Sequence, residues 1–285
     1  MLNDFAVVGG DRRLFYLAKY LHKKNFKVVG FNLSILKNDK FNFKILNSLE
    51  QVISSSKNIV GPIPFSRDEN LINCDCSSNI PIKSFLNCLS KKNSVLAGNL
   101  SKNILNNLEK QVNFVYDYFK NENFAVFNAM LTVEAAIAQI ILNNANSLQF
   151  CNCLILGFGR CGKLLALKLK QFCKNIIVCT RNKLELSWAA ALGLQILNLD
   201  FLESRLNEFN LIVNTIPVNV FKGKLLNKLK CDVFVFDITA NGIDESEFEK
   251  ASIKFAVSLQ IPGKFKYKAS AKYLADLLID VLNIK

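Results

Sequence analysis

The chain has 285 residues, a length that predicts one large or two medium-sized domains. Apolar residues make up 51% and charged residues 21%, with 12 Gly and 5 Pro, which excludes collagen-like, low-complexity and disordered chains. The net charge of +13 results from 30 Lys and 6 Arg against 23 Asp and Glu. The basic residues form no block of like charges, so nucleic acid is not expected as a partner.

The cysteines argue against a metal site and for a reducing compartment. Nine Cys are scattered along the chain, and pairs such as Cys74-x-Cys76 lack the spacing of zinc ligands. His22 is the only His, so we expect no metal. Several Cys lie in apolar runs, and the N-terminus lacks a signal-peptide pattern, so a cytoplasmic location is expected.

The first half alternates strand and helix. Residues 5–9 form an apolar run, residues 13–24 carry Leu at helical spacing, and residues 27–31 form a second apolar run, which together predict a βαβ unit. Similar alternation continues to about residue 116, which favours a parallel sheet. The Pro-rich segment 62–80 is predicted to be a loop that acts as an ordered or mobile lid.

A long helix over 124–145 separates this half from a second one. From residue 151 strands and helices alternate again, and an amphipathic helix is predicted over 269–283. The stretch 135–159 lacks charge but contains several Asn and Gln, so no membrane-spanning helix and no membrane partner are expected.

The predicted architecture is therefore two α/β domains separated by a cleft and the long interdomain helix. Residues 1–123 are assigned to an N-terminal, substrate-side domain, and residues 124–268 to the helix plus a Rossmann dinucleotide-binding domain. Residues 269–285 form a C-terminal helix that is expected to pack back on the first domain.

A glycine-rich turn is the most specific motif. An apolar strand ending at Leu156 leads into G-x-G-x-x-G and then into a helix, which is the context of a dinucleotide-binding turn. The turn predicts cofactor contacts by Gly157, Phe158, Gly159, Arg160, Cys161 and Gly162. The alternative is a tight strand–helix turn that binds no ligand.

The next strand of that half indicates which dinucleotide is bound. It ends at Thr180 and Arg181 without a carboxylate, whereas a carboxylate there binds the ribose in NAD sites. Arg181 can pair with a 2′-phosphate, so NADP is favoured over NAD.

Later strand ends in the same half add candidate cofactor contacts, because ligands lie beyond the carboxyl ends of parallel strands. These are Asn214, Thr215, Ile216, Pro217, Asp237 and Thr239. Each of them could instead cap the helix that follows.

The first half carries a candidate anion site. Asp11, Arg12 and Arg13 follow Gly9-Gly10 at a predicted helix start, where backbone N–H groups and guanidinium groups suit a carboxylate. Arg67 in the Pro-rich loop is a further candidate. The alternative for Arg12 and Arg13 is a solvated helix start.

Motifs along nearly the whole chain give it a family resemblance. They are V-V-G-G-D-R at 7–12, G-P-I-P-F at 61–65, V-F-N-A-M-L-T-V-E at 126–134, L-G-F-G-R-C-G at 156–162, N-T-I-P at 214–217 and I-P-G at 261–263. In this set and order the chain resembles the family of dipicolinate synthase A subunits.

The resemblance implies NADP-dependent oxidation of dihydrodipicolinate to dipicolinate in the mother-cell cytoplasm of a sporulating bacterium, together with the flavoprotein-like B subunit of dipicolinate synthase. The substrate would then be a small dicarboxylate bound by Arg12, Arg13 or Arg67. Whether the chain forms a homo-oligomer is left open. Glu134 becomes a candidate base on the long helix, with the polar Asn128 and Thr132 nearby.

Two segments depart from the family pattern. Residues 238–244 replace a Ser and a Pro-Gly-Gly turn, and residues 264–271 replace an Ala-Pro and a Thr-Ala-Gly sequence. These departures leave open a non-catalytic NADP-binding or scaffold subunit. The other alternative is a different NADP-dependent oxidoreductase of small carboxylates; its hydroxyacid type normally needs a His acid/base, and His22 is poorly placed for that role.

Overall fold

A computed structural model describes residues 2–76, 78–239, 242–258 and 261–284. The chain forms two compact units. Unit 1 comprises Met1–Asn128 and Pro262–Lys285, and unit 2 comprises Ala129–Ile261. The boundary therefore lies inside the long helix, five residues beyond the predicted position at 123/124, and the final segment is part of unit 1 from residue 262 onward.

Unit 1 is built on a six-stranded parallel sheet with the order β3-β2-β1-β4-β5-β6. Its strands are β1 (Asn3–Val8), β2 (Val28–Phe31), β3 (Lys44–Ile45), β4 (Ser56–Val60), β5 (Ser94–Ala97) and β6 (Phe114–Asp117). Alternate residues of β1 enter two different cores, with Phe5 and Val7 on one face and Ala6 and Val8 on the other. Because both faces are covered, the strand is a continuous apolar run rather than an alternating one.

The helices of unit 1 cover both faces of this sheet. They are α1 (Arg12–Lys23), α2 (Leu49–Ser54), α3 (Ile82–Cys88), α4 (Lys102–Gln111), the start of α5 (Glu122–Asn143), α10 (Ile261–Phe265) and α11 (Tyr267–Leu282). Asp11 caps α1 by accepting a hydrogen bond from the backbone N–H of Arg13 at 2.9 Å.

The C-terminal helix α11 belongs to the core of unit 1. Its buried face, which includes Leu274 and Leu278, joins Leu14 and Leu17 of α1 in one apolar cluster. The expected packing of this helix against the first domain is thus what the structure shows.

The Pro-rich loop is attached to the end of β1. The backbone N–H of Gly10 donates to the carbonyl oxygen of Asn73 at 2.9 Å, and the backbone N–H of Asn73 donates to the carbonyl oxygen of Phe65 at 2.8 Å. The Phe65 ring is fully buried and makes an edge contact with Phe85 at 5.7 Å. These contacts give the loop a defined position on unit 1.

Unit 2 repeats the same strand order. Its sheet runs β12-β11-β10-β7-β8-β9, with all strands parallel. The strands are β7 (Asn152–Leu156), β8 (Asn175–Thr180), β9 (Gln195–Asn198), β10 (Leu211–Asn214), β11 (Phe234–Asp237) and β12 (Lys254–Val257). The helices are the rest of α5, α6 (Arg160–Leu169), α7 (Lys183–Ala191), α8 (Leu202–Arg205) and α9 (Glu245–Lys250).

Helix α5 contributes to both cores. Phe124 is buried in the core of unit 1, whereas Val133, Ala136 and Ile140 are buried in the core of unit 2. By length and composition alone α5 could cross a membrane, with a mean hydropathy of 1.8. Its buried positions show that one part of α5 packs in the core of each unit.

The elements that sequence analysis missed are short. They include β3 and the helices α8, α9 and α10, which are two to six residues long and therefore complete hardly more than one period of an apolar pattern. The departing segment 238–244 contains residues 240 and 241, which lie outside the described part of the chain.

The packing of α11 on unit 1 predicts a stability effect. Replacing Leu278 with Ala removes a fully buried side chain and should lower the free energy of unfolding by about 2–5 kcal/mol. Urea unfolding followed by far-UV circular dichroism measures this loss. Lys272→Ala, at an exposed position of the same helix, should change stability by less than about 0.5 kcal/mol, and equal effects of the two variants would contradict the packing.

Candidate functional site

The glycine-rich turn lies where the strand order of unit 2 reverses. Strand β7 pairs with β8 on one side and with β10 on the other, so its carboxyl end opens a crevice between them. Such switch points are where doubly wound sheets bind ligands. Gly157 follows the strand with φ +89°, a conformation that favours glycine. Its backbone N–H donates to the carbonyl oxygen of Cys179 at 2.8 Å.

Two glycines of the turn have opposite environments. A Cβ on Gly162 would collide with the carbonyl oxygen of Gly157, so this glycine allows α6 to start close against β7. A Cβ on Gly159 would meet no described atom within 4 Å. Among the described residues no side chain caps α6 at Gly159, so the space over this helix start suits an anionic ligand.

A cleft of about 400 Å³ extends from this turn. Predicted cofactor residues that line it are Gly157, Phe158, Gly159, Thr180, Arg181, Thr215, Ile216 and Pro217. Thr215 fixes one wall, because its hydroxyl donates to the carbonyl oxygen of Leu156 at 2.7 Å. The residues present therefore fit a dinucleotide in two respects: an open glycine turn, and a cleft at the switch point that extends from this turn to the end of β8.

The ribose end of the cleft contains a carboxylate that sequence analysis missed. Glu185 lines the cleft beside Arg181, and the hydroxyl of Thr180 donates to its Oε2 at 2.7 Å. Glu185 lies in the first turn of α7, five residues after the strand end, so a search of the strand end alone does not find it. Its position three residues after the helix cap Asn182 was the available signal.

Asn214, Asp237 and Thr239 form a hydrogen-bonded network within unit 2. Asn214 is 0% exposed and Asp237 1% exposed, and neither lines the cleft, so their contact with a cofactor stays a prediction. Asp237 accepts hydrogen bonds from the N–H and hydroxyl of Thr239, both at 2.8 Å, and from Asn214 at 3.2 Å. Burial raises the pKa of Asp237 even though these donors oppose the shift. The network holds the ends of β10 and β11 in position.

Three other residues of the turn lie outside the lining of the cleft. Gly162 is buried, and Cys161 is half-buried against the apolar core, where burial raises the pKa of its thiol to about 11. Arg160 is exposed at the first position of α6. Cofactor contact by Arg160 stays a prediction, whereas Gly162 and Cys161 have evident packing roles.

In unit 1 the equivalent crevice is filled by the protein itself. Arg13 donates to both carboxylate oxygens of Asp11 at 2.7–3.0 Å and to the carbonyl oxygen of Ile63 at 2.9 Å. Both side chains are buried, and a Cβ on Gly263 would collide with the Asp11 carboxylate. Burial opposes the charge of Arg13, but Asp11 outweighs it and raises the pKa of the guanidinium. The anion that Arg13 binds here is thus the side chain of Asp11.

Arg12 also binds a carboxylate of its own unit. It donates to Asp39 at 2.6 and 3.2 Å, and its guanidinium lies over the rings of Tyr16 and Tyr267 at 5.3 and 5.0 Å. The hydrogen bond from Arg12 lowers the pKa of Asp39. Tyr267 belongs to a segment that departs from the family pattern, and here it packs against Arg12. The alternative of a solvated helix start is wrong for both arginines.

Arg67 is the predicted substrate residue with the most open surroundings. Its side chain is exposed, donates to Asn73 at 3.4 Å, and lines a cavity of about 160 Å³ in unit 1. On α5, Asn128 and Thr132 are half-buried and Glu134 is exposed. Substrate contact by these four residues stays a prediction.

Comparisons with known proteins support the resemblance seen in the motifs. Residues 4–119 match the family model of the N-terminal domain of the dipicolinate synthase A subunit. The A subunit of dipicolinate synthase from Bacillus subtilis (strain 168) is 23% identical over 292 residues, covering 97% of this chain and 95% of that protein. The predicted resemblance to the A subunits of dipicolinate synthase is confirmed.

Solved structures confirm the fold class. The dipicolinate synthase A subunit from Bacillus halodurans superposes with a TM-score of 0.84 at 22% identity, covering 99% of this chain and 98% of that chain. The transhydrogenase from Sinorhizobium meliloti has a TM-score of 0.63 at 12% identity, with coverages of 97% and 92%. A fold of two parallel-sheet α/β domains is thus shared with these proteins.

The two glycine environments predict different effects on stability. Gly162→Ala should destabilise unit 2 by about 1–3 kcal/mol or more, because the new methyl group overlaps the Gly157 carbonyl. Gly159→Ala should change stability by less than about 1 kcal/mol, because φ −69° suits Ala and the space is open. Urea unfolding followed by the fluorescence of Trp188, which lies in unit 2, distinguishes them. Similar stability of the two variants would contradict the described turn.

The buried ion pair predicts a second contrast. Arg13→Ala leaves the Asp11 carboxylate buried without its partner and should cost about 3–5 kcal/mol. Asp276→Asn breaks the exposed pair with Lys24, in which both side chains are nearly half exposed, and should cost at most about 1 kcal/mol. Urea unfolding monitored by circular dichroism compares the free energies of unfolding of the two variants. A loss of less than about 1 kcal/mol for Arg13→Ala would contradict the buried Asp11–Arg13 ion pair.

Proposed function

We propose that this chain, which resembles the A subunits of dipicolinate synthase along its full length, is an NADP-dependent oxidoreductase that converts dihydrodipicolinate to dipicolinate. The open glycine turn at the switch point of unit 2 carries this proposal. It combines a helix start without a side-chain cap among the described residues, a glycine with free space above it, and a cleft of about 400 Å³.

Residues of unit 2 would hold the cofactor. Gly157 and Gly159 would let the backbone approach a pyrophosphate, and Thr215 to Pro217 also line the cleft. Arg181 would pair with a 2′-phosphate, which is the reason for proposing NADP. A bound nicotinamide dinucleotide supplies a hydride acceptor.

The chain's remaining tasks are to bind a small dianion and to accept one proton. Arg67 is the strongest candidate for a substrate carboxylate, because Arg12 and Arg13 already bind Asp39 and Asp11. Glu134, exposed on α5, is the candidate acceptor of the proton released as the ring becomes aromatic.

The cellular setting follows from the resemblance alone. We propose that the chain works with the flavoprotein-like B subunit of dipicolinate synthase in the mother-cell cytoplasm of a sporulating bacterium. Small-molecule carboxylates, rather than nucleic acid or membranes, are its proposed ligands.

One observation supports a second candidate, a non-catalytic NADP-binding subunit. Two of the three arginines expected to bind the substrate are neutralised by carboxylates of the same unit. A chain that binds the cofactor without oxidising a substrate would need none of them. Activity with and without a partner protein discriminates between the two candidates.

The cofactor proposal predicts a binding preference. Titration of the purified chain with NADPH and NADH, followed by nucleotide fluorescence, should show tighter binding of NADPH by about tenfold, or 1.4 kcal/mol. Arg181→Ala should abolish this preference, because it removes a charge-assisted hydrogen bond to the phosphate. Failure of both nucleotides to bind would contradict the oxidoreductase proposal for the isolated chain.

The reaction itself is tested with dihydrodipicolinate. Appearance of NADPH absorbance with NADP and dihydrodipicolinate would support the enzyme, and Arg67→Ala should then raise KM. Nucleotide binding without turnover, both alone and with the flavoprotein-like partner, would favour the non-catalytic candidate.

A further inference from the structure

The side-chain carboxylate of Glu185 lies at the cleft of unit 2. Its Oε2 accepts a hydrogen bond from the Thr180 hydroxyl at 2.7 Å, and Thr180 is the last residue of β8 and only 5% exposed. The carboxylate is therefore anchored at the carboxyl end of the second strand of the unit. In doubly wound folds this position faces the ribose of the nucleotide.

The helix cap does not account for this orientation. Asn182 caps α7 with its side chain, and Glu185 lies three residues later, where a Glu commonly bonds back to the backbone N–H of the cap. Here the N–H of Asn182 donates to the Thr180 hydroxyl at 3.2 Å instead. Thr180 thus takes over that task, and the Glu185 carboxylate points to Thr180 and lines the cleft.

The second oxygen of Glu185 has capacity for a ligand. Within the described part of the chain, Oε1 accepts no hydrogen bond, and the residue is only half-buried. An ionised carboxylate has about four acceptor sites, of which Thr180 uses one. Two ribose hydroxyls are suitable donors, whereas a 2′-phosphate carries negative charge and would be repelled.

We propose that Glu185 is a specificity-determining residue that accepts hydrogen bonds from the ribose hydroxyls of NAD and opposes the 2′-phosphate of NADP. This inference rests on the proposed nucleotide site and refines it. Arg181 and Glu185 line the same part of the cleft with opposite charges, so the preference is a balance between them. The chain accepts both dinucleotides, and its preference for NADP is smaller than Arg181 alone would produce.

The test compares the affinities of the full chain for NADH and NADPH. Trp188 is the only Trp and lies three residues after Glu185 on α7, so its quenching by energy transfer to the reduced nicotinamide reports binding. Glu185→Gln removes the charge and keeps the shape. We expect it to weaken NADH and strengthen NADPH, which shifts the ratio of their dissociation constants by about tenfold towards NADPH.

A matched control separates this effect from the loss of any negative charge. Glu249→Gln removes a carboxylate at an exposed position of α9, outside the cleft lining, and should leave the ratio unchanged within twofold. Arg181→Ala should shift the ratio in the opposite direction to Glu185→Gln. Reciprocal shifts of the two variants would support the proposed balance.

The outcomes are distinguishable. If the wild-type chain binds at least one nucleotide but Glu185→Gln leaves the ratio within twofold of wild type, the role of Glu185 is overturned and the cofactor site stands. If the wild-type chain binds neither nucleotide, the proposed function fails and this inference fails with it. If Glu185→Gln does not fold, Glu185→Asp carries the test: its shorter side chain should weaken NADH severalfold, and unchanged NADH affinity would overturn the inference.

Discussion

The close approach of α6 to β7 is the constraint on which the rest of unit 2 depends. Only a residue without a Cβ fits at Gly162, because the carbonyl oxygen of Gly157 occupies that space. This contact places the start of α6 over the carboxyl end of β7, and the absence of a side chain at Gly159 leaves the helix start accessible. The cleft between Thr180 and Thr215 follows from the parallel pairing of β8 and β10 on either side of β7.

The two units share a strand order but use their switch points differently. In unit 2 the crevice beyond the first strand is open, whereas in unit 1 the Asp11–Arg13 pair and the backbone at Gly263 fill it. A buried ion pair of this kind contributes little net stability, yet losing one partner is costly. Unit 1 thereby keeps the doubly wound framework without the features of a dinucleotide site, and one of its cavities lies at the loop that carries Arg67.

Local patterns predicted what depends on neighbours in sequence. The strand before Gly157, the glycine turn, the helix after it and the end of β8 at Thr180 are encoded within short windows. Contacts between distant residues were not predictable in this way. Asp39 lies 27 residues from Arg12 and carries no motif, so its capture of that guanidinium could not be foreseen. The capping pattern at Asn182 draws attention to Glu185 but does not specify that its carboxylate accepts a hydrogen bond from Thr180 at the cleft.

Calorimetric titration of the wild-type chain and of Gly159→Ala with NADPH determines whether unit 2 binds a dinucleotide over the helix start at Gly159. A dinucleotide bound there should give one saturable site in the wild type and binding at least about tenfold weaker in the variant, a loss of about 1.4 kcal/mol, at unchanged thermal stability. Equal affinity of the two proteins, or no binding by either, would contradict it.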